Sequence, residues 1–100
     1  MLNSYEVSLL EKKGFEQYSS GCYMKLLNKE ELKKYFDLDA DILSAIDKGD
    51  VSYGVLDVDV NNKEIVYSLF EVKPTDQEIA NANVWEPDDY DGGIEGIENL

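Results

Sequence analysis

One hundred residues at 11.4 kDa, 43% apolar and 31% charged, make one domain around one core and leave little room for a multidomain enzyme. Nine lysines stand against 22 acidic residues with neither arginine nor histidine, so the formal charge is -13 at pH 7. The commonest catalytic acid–base group and the bidentate clamp for phosphate are both missing, which argues against catalysis, and a field of this sign repels nucleic acid and anionic lipid.

Leu2, Tyr5, Leu9 and Leu10 recur at helical spacing between Asn3 and Lys13, and Gly14 follows as a stop, which predicts a first helix with those four side chains inward. Residues 15–18 and 22–27 are aromatic-rich or apolar runs around Ser19, Ser20 and Gly21, the pattern of a hairpin with a three-residue glycine turn. Asn28 with Glu31 three positions on is a capping box, so a helix runs from Lys29 to about Phe36 with Leu32, Tyr35 and Phe36 inward. Asp39 caps another helix over residues 40–48, whose apolar face is Ile42, Leu43 and Ile46 and whose end is Gly49.

Residues 51–60 and 63–73 form the clearest hairpin, rich in Val, Ile, Tyr and Phe, with Asn61 and Asn62 expected to supply positive φ in a tight primed turn. A two-residue turn sets Val58 against Ile65, Leu56 against Tyr67 and Gly54 against Leu69 on one face. Asp57, Asp59 and Glu64 then lie near the turn on the other face, and Tyr53, Val55 and Phe70 nearer its base are expected to pack under something. Pro74 ends the strand, and Thr75 with Glu78 is a capping box for a short helix to about Asn81. From Val84 onward acids, aromatics and turn formers mix, with Ile94, Ile97 and Leu100 at every third position. The expected organisation is an α+β domain over residues 1–84, with about three short helices and an antiparallel sheet of two hairpins. Residues 85–100 follow as an acidic aromatic carboxyl-terminal segment, docked or partly flexible.

Two alternating acid runs imitate calcium loops and fail where it matters. The EF-hand pattern needs Gly at position six and Glu at position twelve, whereas the run from Asp37 offers Ile42 and Lys48, and the run from Asp57 offers Asn62 and Ser68. One cysteine without histidine cannot complete a zinc set, so no metal and no cofactor is expected. Cys22, in an apolar stretch, is read as a small buried hydrophobe; as a lone thiol it suits a reducing compartment. No apolar run approaches a membrane span and the amino terminus lacks a leader pattern, so a cytoplasmic location is expected.

Charge is lopsided. Residues 1–50 carry ten acids and seven lysines, net -3, while residues 51–100 carry twelve acids and two lysines, net -10. Self-repulsion on that scale opposes compaction, and solubility is satisfied by a net charge of magnitude about 2 to 8, so the field is read as functional. Carboxylates two apart along a strand lie about 6.7 Å apart on one face; such rows fit lysine and arginine pockets built for phosphates. The expected partner-binding residues are Asp57, Asp59, Glu64, Trp85, Glu86, Asp88, Asp89, Tyr90, Asp91, Glu95 and Glu98, with Trp85, Tyr90 and Tyr53 as aromatic anchors. In size and charge the chain resembles the small acidic inhibitors that phages and mobile elements make against CRISPR effectors or restriction enzymes. It is expected to be a non-catalytic DNA mimic that blocks a basic nuclease or other nucleic-acid-handling enzyme, as a monomer or homodimer. The alternatives are an immunity protein that neutralises a toxin nuclease, and a small acidic structural or regulatory subunit that forms a homodimer. Salt separates mimicry from a hydrophobic dimer, because only the former weakens steeply as salt rises.

Overall fold

The computed structural model describes residues 2–19, 22–60, 62–80, 88–90 and 93–98, with backbone alone at 18, 19, 22, 80, 88, 89 and 95. The elements run α1 (Ser4–Lys12), β1 (Glu16–Ser19), β2 (Cys22–Leu27), α2 (Lys29–Tyr35), α3 (Ala40–Asp47), β3 (Tyr53–Asp59), β4 (Glu64–Phe70), α4 (Asp76–Ala80), β5 (Asp88–Asp89) and α5 (Gly93–Ile97). The strands form one antiparallel meander in sequence order, β1-β2-β3-β4-β5. The protein is a small α+β fold.

Helix starts follow the capping chemistry of the sequence. Asn3 with Glu6, Asn28 with Glu31 and Thr75 with Glu78 each form reciprocal capping boxes, and the Asp39 carboxylate accepts the Ile42 amide at 3.0 Å. Gly14 and Gly49 adopt φ of 91° and 81° after α1 and α3, the left-handed conformation that ends a helix. Tyr5 departs from the expected inward face. It is 60% exposed, and Leu9 and Leu10 are the buried residues of α1. Its hydroxyl instead donates to the Glu98 carboxylate just beyond α5.

The β3–β4 register sets Val58 opposite Ile65, Leu56 opposite Tyr67 and Gly54 opposite Leu69, as a two-residue turn requires. The turn itself differs from a tight primed one. Ladder pairing stops at Asp59 and Glu64, and among the described residues the non-glycine with positive φ is Lys63, at 57°. Asp59 accounts for this: its carboxylate accepts the Asn62 backbone amide at 3.3 Å and the Asn62 side-chain amide at 2.9 Å. The Asx contact at Asp59 and the left-handed Lys63 keep the same register, and the positive φ expected of Asn61 lies outside the described residues.

Two clusters hold the sheet. On one face, Leu27, Leu56, Val58 and Ile65 pack with Leu9, Leu10, Leu32, Phe36, Ile42, Ile46, Ile94 and Ile97 from the helices and their flanks. Gly54 permits the approach of α2, since a Cβ there would lie 2.8 Å from Leu32 Cδ2. On the opposite face, at the base of the β3–β4 hairpin, Ile79 of α4 closes over Met24 and Val55, with Leu26 and Phe70 alongside. That is the cover expected for the hairpin base. β5 and α5 are additions that the sequence pattern did not delineate: β5 pairs with Val66 and Tyr67, and α5 contributes Ile94 and the fully buried Ile97 to the larger cluster.

Candidate functional site

Strand alternation sorts charge between the two faces of the sheet. Leu56, Val58 and Ile65 turn inward, so Asp57, Asp59 and Glu64 take the other face, where Asp59 and Glu64 are direct cross-strand partners. Glu16 joins them by register: it pairs with Met24, which pairs with Asp57. Glu16 and Glu64 are exposed, and Asp57 and Asp59 are half-buried. Sequence reasoning missed Glu16, because its place beside the others depends on the β1–β2 register at a strand pair whose register shifts between Gln17 and Ser19.

Two lysines near the hairpin reach other parts of the fold. Lys25, the one strand lysine among the described residues, pairs with Leu56 and reaches the helical side, 3.1 Å from Glu31 and 5.5 Å from the centre of the Tyr35 ring, while donating to the Lys13 carbonyl. Lys63 turns from the hairpin loop to Glu6 of α1, 3.1 Å away. The Asn3 amide is the main reason that the Glu6 carboxyl is held below its usual range, with Lys63 adding to the effect against partial desolvation. The Tyr5 hydroxyl is pushed upward, first by its hydrogen bond to Glu98, then by desolvation and the nearby negative charge.

The carboxyl-terminal candidates divide. Trp85, Glu86 and Asp91 lie outside the described residues, and for Asp88, Asp89 and Glu95 only the backbone is described; so is that of Cys22, whose expected packing therefore lies outside the described side chains. Glu98 is exposed and engaged by Tyr5. Tyr90 is half-buried, with its hydroxyl 2.7 Å from the Tyr35 carbonyl and its ring 5.4 Å from Phe36 in an edge-on contact. Tyr53, the other described anchor candidate, is half-buried.

Tyr90 belongs to a cleft that the linear sequence hid. The chain leaves α2 at Phe36 and enters α3 at Ala40, and the turn between them, with Tyr67, Tyr90 and Gly96, encloses about 470 Å³. Tyr35 and Phe36, both buried, and Tyr67 and Tyr90, both half-buried, border it, with Phe36 and Tyr67 4.8 Å apart edge-on. Asp37, Asp39 and Asp41 rim it, and Leu38 stands beside them 96% exposed. The Asp37–Asp41 run lines this cleft, and no cluster of three or more metal-ligating side chains occurs among the described residues. The only advance signal was an aromatic pair at 35 and 36 followed by an acid at every second position from 37 to 41; Tyr67 arrives on β4, and Tyr90 follows β5 with its amide bonded to the Ile65 carbonyl.

No helix among the described residues is long and apolar enough to cross a membrane. Comparisons with family models, with curated proteins and with solved structures find no match for this chain.

Proposed function

We propose that the protein is a non-catalytic acidic inhibitor of the anti-CRISPR or anti-restriction type, made by a phage or mobile element. In this reading it acts in the cytoplasm, mimicking nucleic acid to block the basic groove of a nucleic-acid-handling enzyme. The observation that carries this reading is the segregation within the sheet: Glu16, Asp57, Asp59 and Glu64 share one face, while Lys25, the only strand lysine among the described residues, serves the other. A row of carboxylates on a pleated surface is held at near-fixed spacing, which suits a groove already arranged for phosphates. A homodimer through the same face would set these acids against their own copies, so the face is better suited to a cationic partner.

The test is affinity capture from host lysate, identification of the captured protein, and kinetic measurement on the purified pair. The triple variant Asp57→Asn, Asp59→Asn, Glu64→Gln should keep the fold and slow association by about tenfold or more at low salt. Duplex DNA should compete for the same partner. Wild-type affinity for the triple variant at physiological salt would end the mimicry reading.

A further inference from the structure

We propose that the cleft between α2 and α3 is a receptor for one guanidinium group, an arginine side chain presented by the cationic partner. The inference deepens the proposed function by naming a second contact and its chemistry; it rests on that reading for the partner, while its own test needs none.

The walls and the rim together select the ligand. Of the four aromatic residues that border the cleft, Tyr35 and Phe36 are buried, whereas Tyr67 and Tyr90 are only half-buried and keep part of their surface exposed, and ring faces attract cations. The rim carries Asp37, Asp39 and Asp41, and among the described residues no lysine pairs with any of the three. An anionic ligand is repelled by that rim. A purely apolar ligand would offer nothing to the Asp37 and Asp41 carboxylates, and Asp39 is already engaged by the Ile42 amide. A flat cation satisfies both features, because a guanidinium can stack on a ring and donate to carboxylates in the same pose. The same aromatic cluster already holds one cation: Lys25 Nζ lies 5.5 Å from the Tyr35 ring centre while pairing with Glu31. The cleft repeats that pairing of ring and carboxylate on an open side. Its volume of about 470 Å³ falls in the range of small-molecule sites, enough for one side chain and its flanking backbone. Leu38, 96% exposed at the edge, is placed to meet the aliphatic stem or the partner surface around it.

The probe is N-acetyl-arginine methylamide, titrated into the full chain and followed by amide NMR, with N-acetyl-citrulline methylamide as the uncharged isostere. Arginine should shift the amides of Leu38, Tyr67, Tyr90 and Gly96, and citrulline should do so far less. The variant Asp37→Asn, Asp41→Asn keeps the Asp39 cap and should weaken arginine binding about 3- to 10-fold at low salt; the lysine analogue should bind more weakly than arginine. Should the double variant unfold, Asp37→Asn alone carries the comparison. Equal shifts with arginine and citrulline would overturn the proposal, as would arginine shifts confined to the Asp57–Asp59–Glu64 face or absent at saturating probe. A positive titration beside a triple face variant that still binds the partner normally would reject the mimicry reading and keep the receptor; the converse pair of results would do the opposite.

Discussion

The hydroxyl of Tyr90 donates a 2.7 Å hydrogen bond to the main-chain carbonyl of Tyr35, 55 residues earlier. That carbonyl belongs to the last turn of α2, where helix carbonyls lack an in-helix donor, so Tyr90 does the work of a cap from a distance. Replacing Tyr90 by Phe keeps the ring against Phe36 and removes only the donor. We expect a loss of about 0.5–1.5 kcal/mol, read as a lower urea midpoint at unchanged slope. An unchanged midpoint would mean that water replaces the hydroxyl at no cost.

Ile79 secures the second face of the sheet. It is 3% exposed over Met24 and Val55, on a five-residue helix that has little stability of its own. Ile79→Ala should destabilise the protein by about 2–4 kcal/mol in chemical denaturation and expose Phe70 and Leu26. Exposed Val72, truncated to Ala in parallel, should change stability by less than about 0.5 kcal/mol.

These two residues mark the limit of what sequence reading reached. Elements written in local chemistry were legible: the Asn28–Glu31 and Thr75–Glu78 boxes, the Asp39 cap, and the β3–β4 register, which depends only on how many residues separate the strands. Features settled by distant packing were not. Tyr5 fits a helical stripe, yet it faces Glu98, which no spacing within α1 could reveal. β5 has two residues and exists through its pairing with β4, so it leaves no periodicity of its own. The cleft needs Tyr35, Tyr67 and Tyr90 from three separate elements, whereas the Asp57–Asp59–Glu64 face needed only strand alternation and could be read directly.

Helix α1 should have a stability window bounded by two titrations of opposite sign. Glu6 has its folded pKa lowered from the ordinary 4.5, chiefly by the Asn3 amide, so its contribution is complete above that ordinary value and is lost as pH falls through the folded value. Tyr5 has its folded pKa raised above 10.0, chiefly by donating to Glu98, so its contribution is complete below 10.0 and is lost as pH rises through the folded value. Amide exchange in α1, corrected for intrinsic rates, should therefore quicken at both extremes relative to α3. Glu6→Gln should flatten the acid limb and Tyr5→Phe the alkaline limb. Acid and alkaline limbs unmoved by these variants would place the sensitivity elsewhere.

Asp59 and Glu64 are register partners across β3 and β4, two like charges at directly opposed positions. Such a pair destabilises a sheet, and a protein under selection for stability alone would carry an opposite charge at one of the two positions. Asp59 is committed to the turn through its bonds to Asn62, which leaves Glu64 as the position free to change. Glu64→Lys should therefore raise stability by about 0.2–1 kcal/mol at low salt, with the gain shrinking as salt screens the pair. The same substitution should slow association with a cationic partner more than Glu64→Gln does, because it reverses a charge where the neutral variant only removes one. Stability and binding moving in opposite directions is the signature of a charge retained for recognition. If Glu64→Lys instead lowers the thermal midpoint at low salt, the acid at position 64 supports the hairpin itself, and the carboxylate face loses its strongest claim to a role outside the fold.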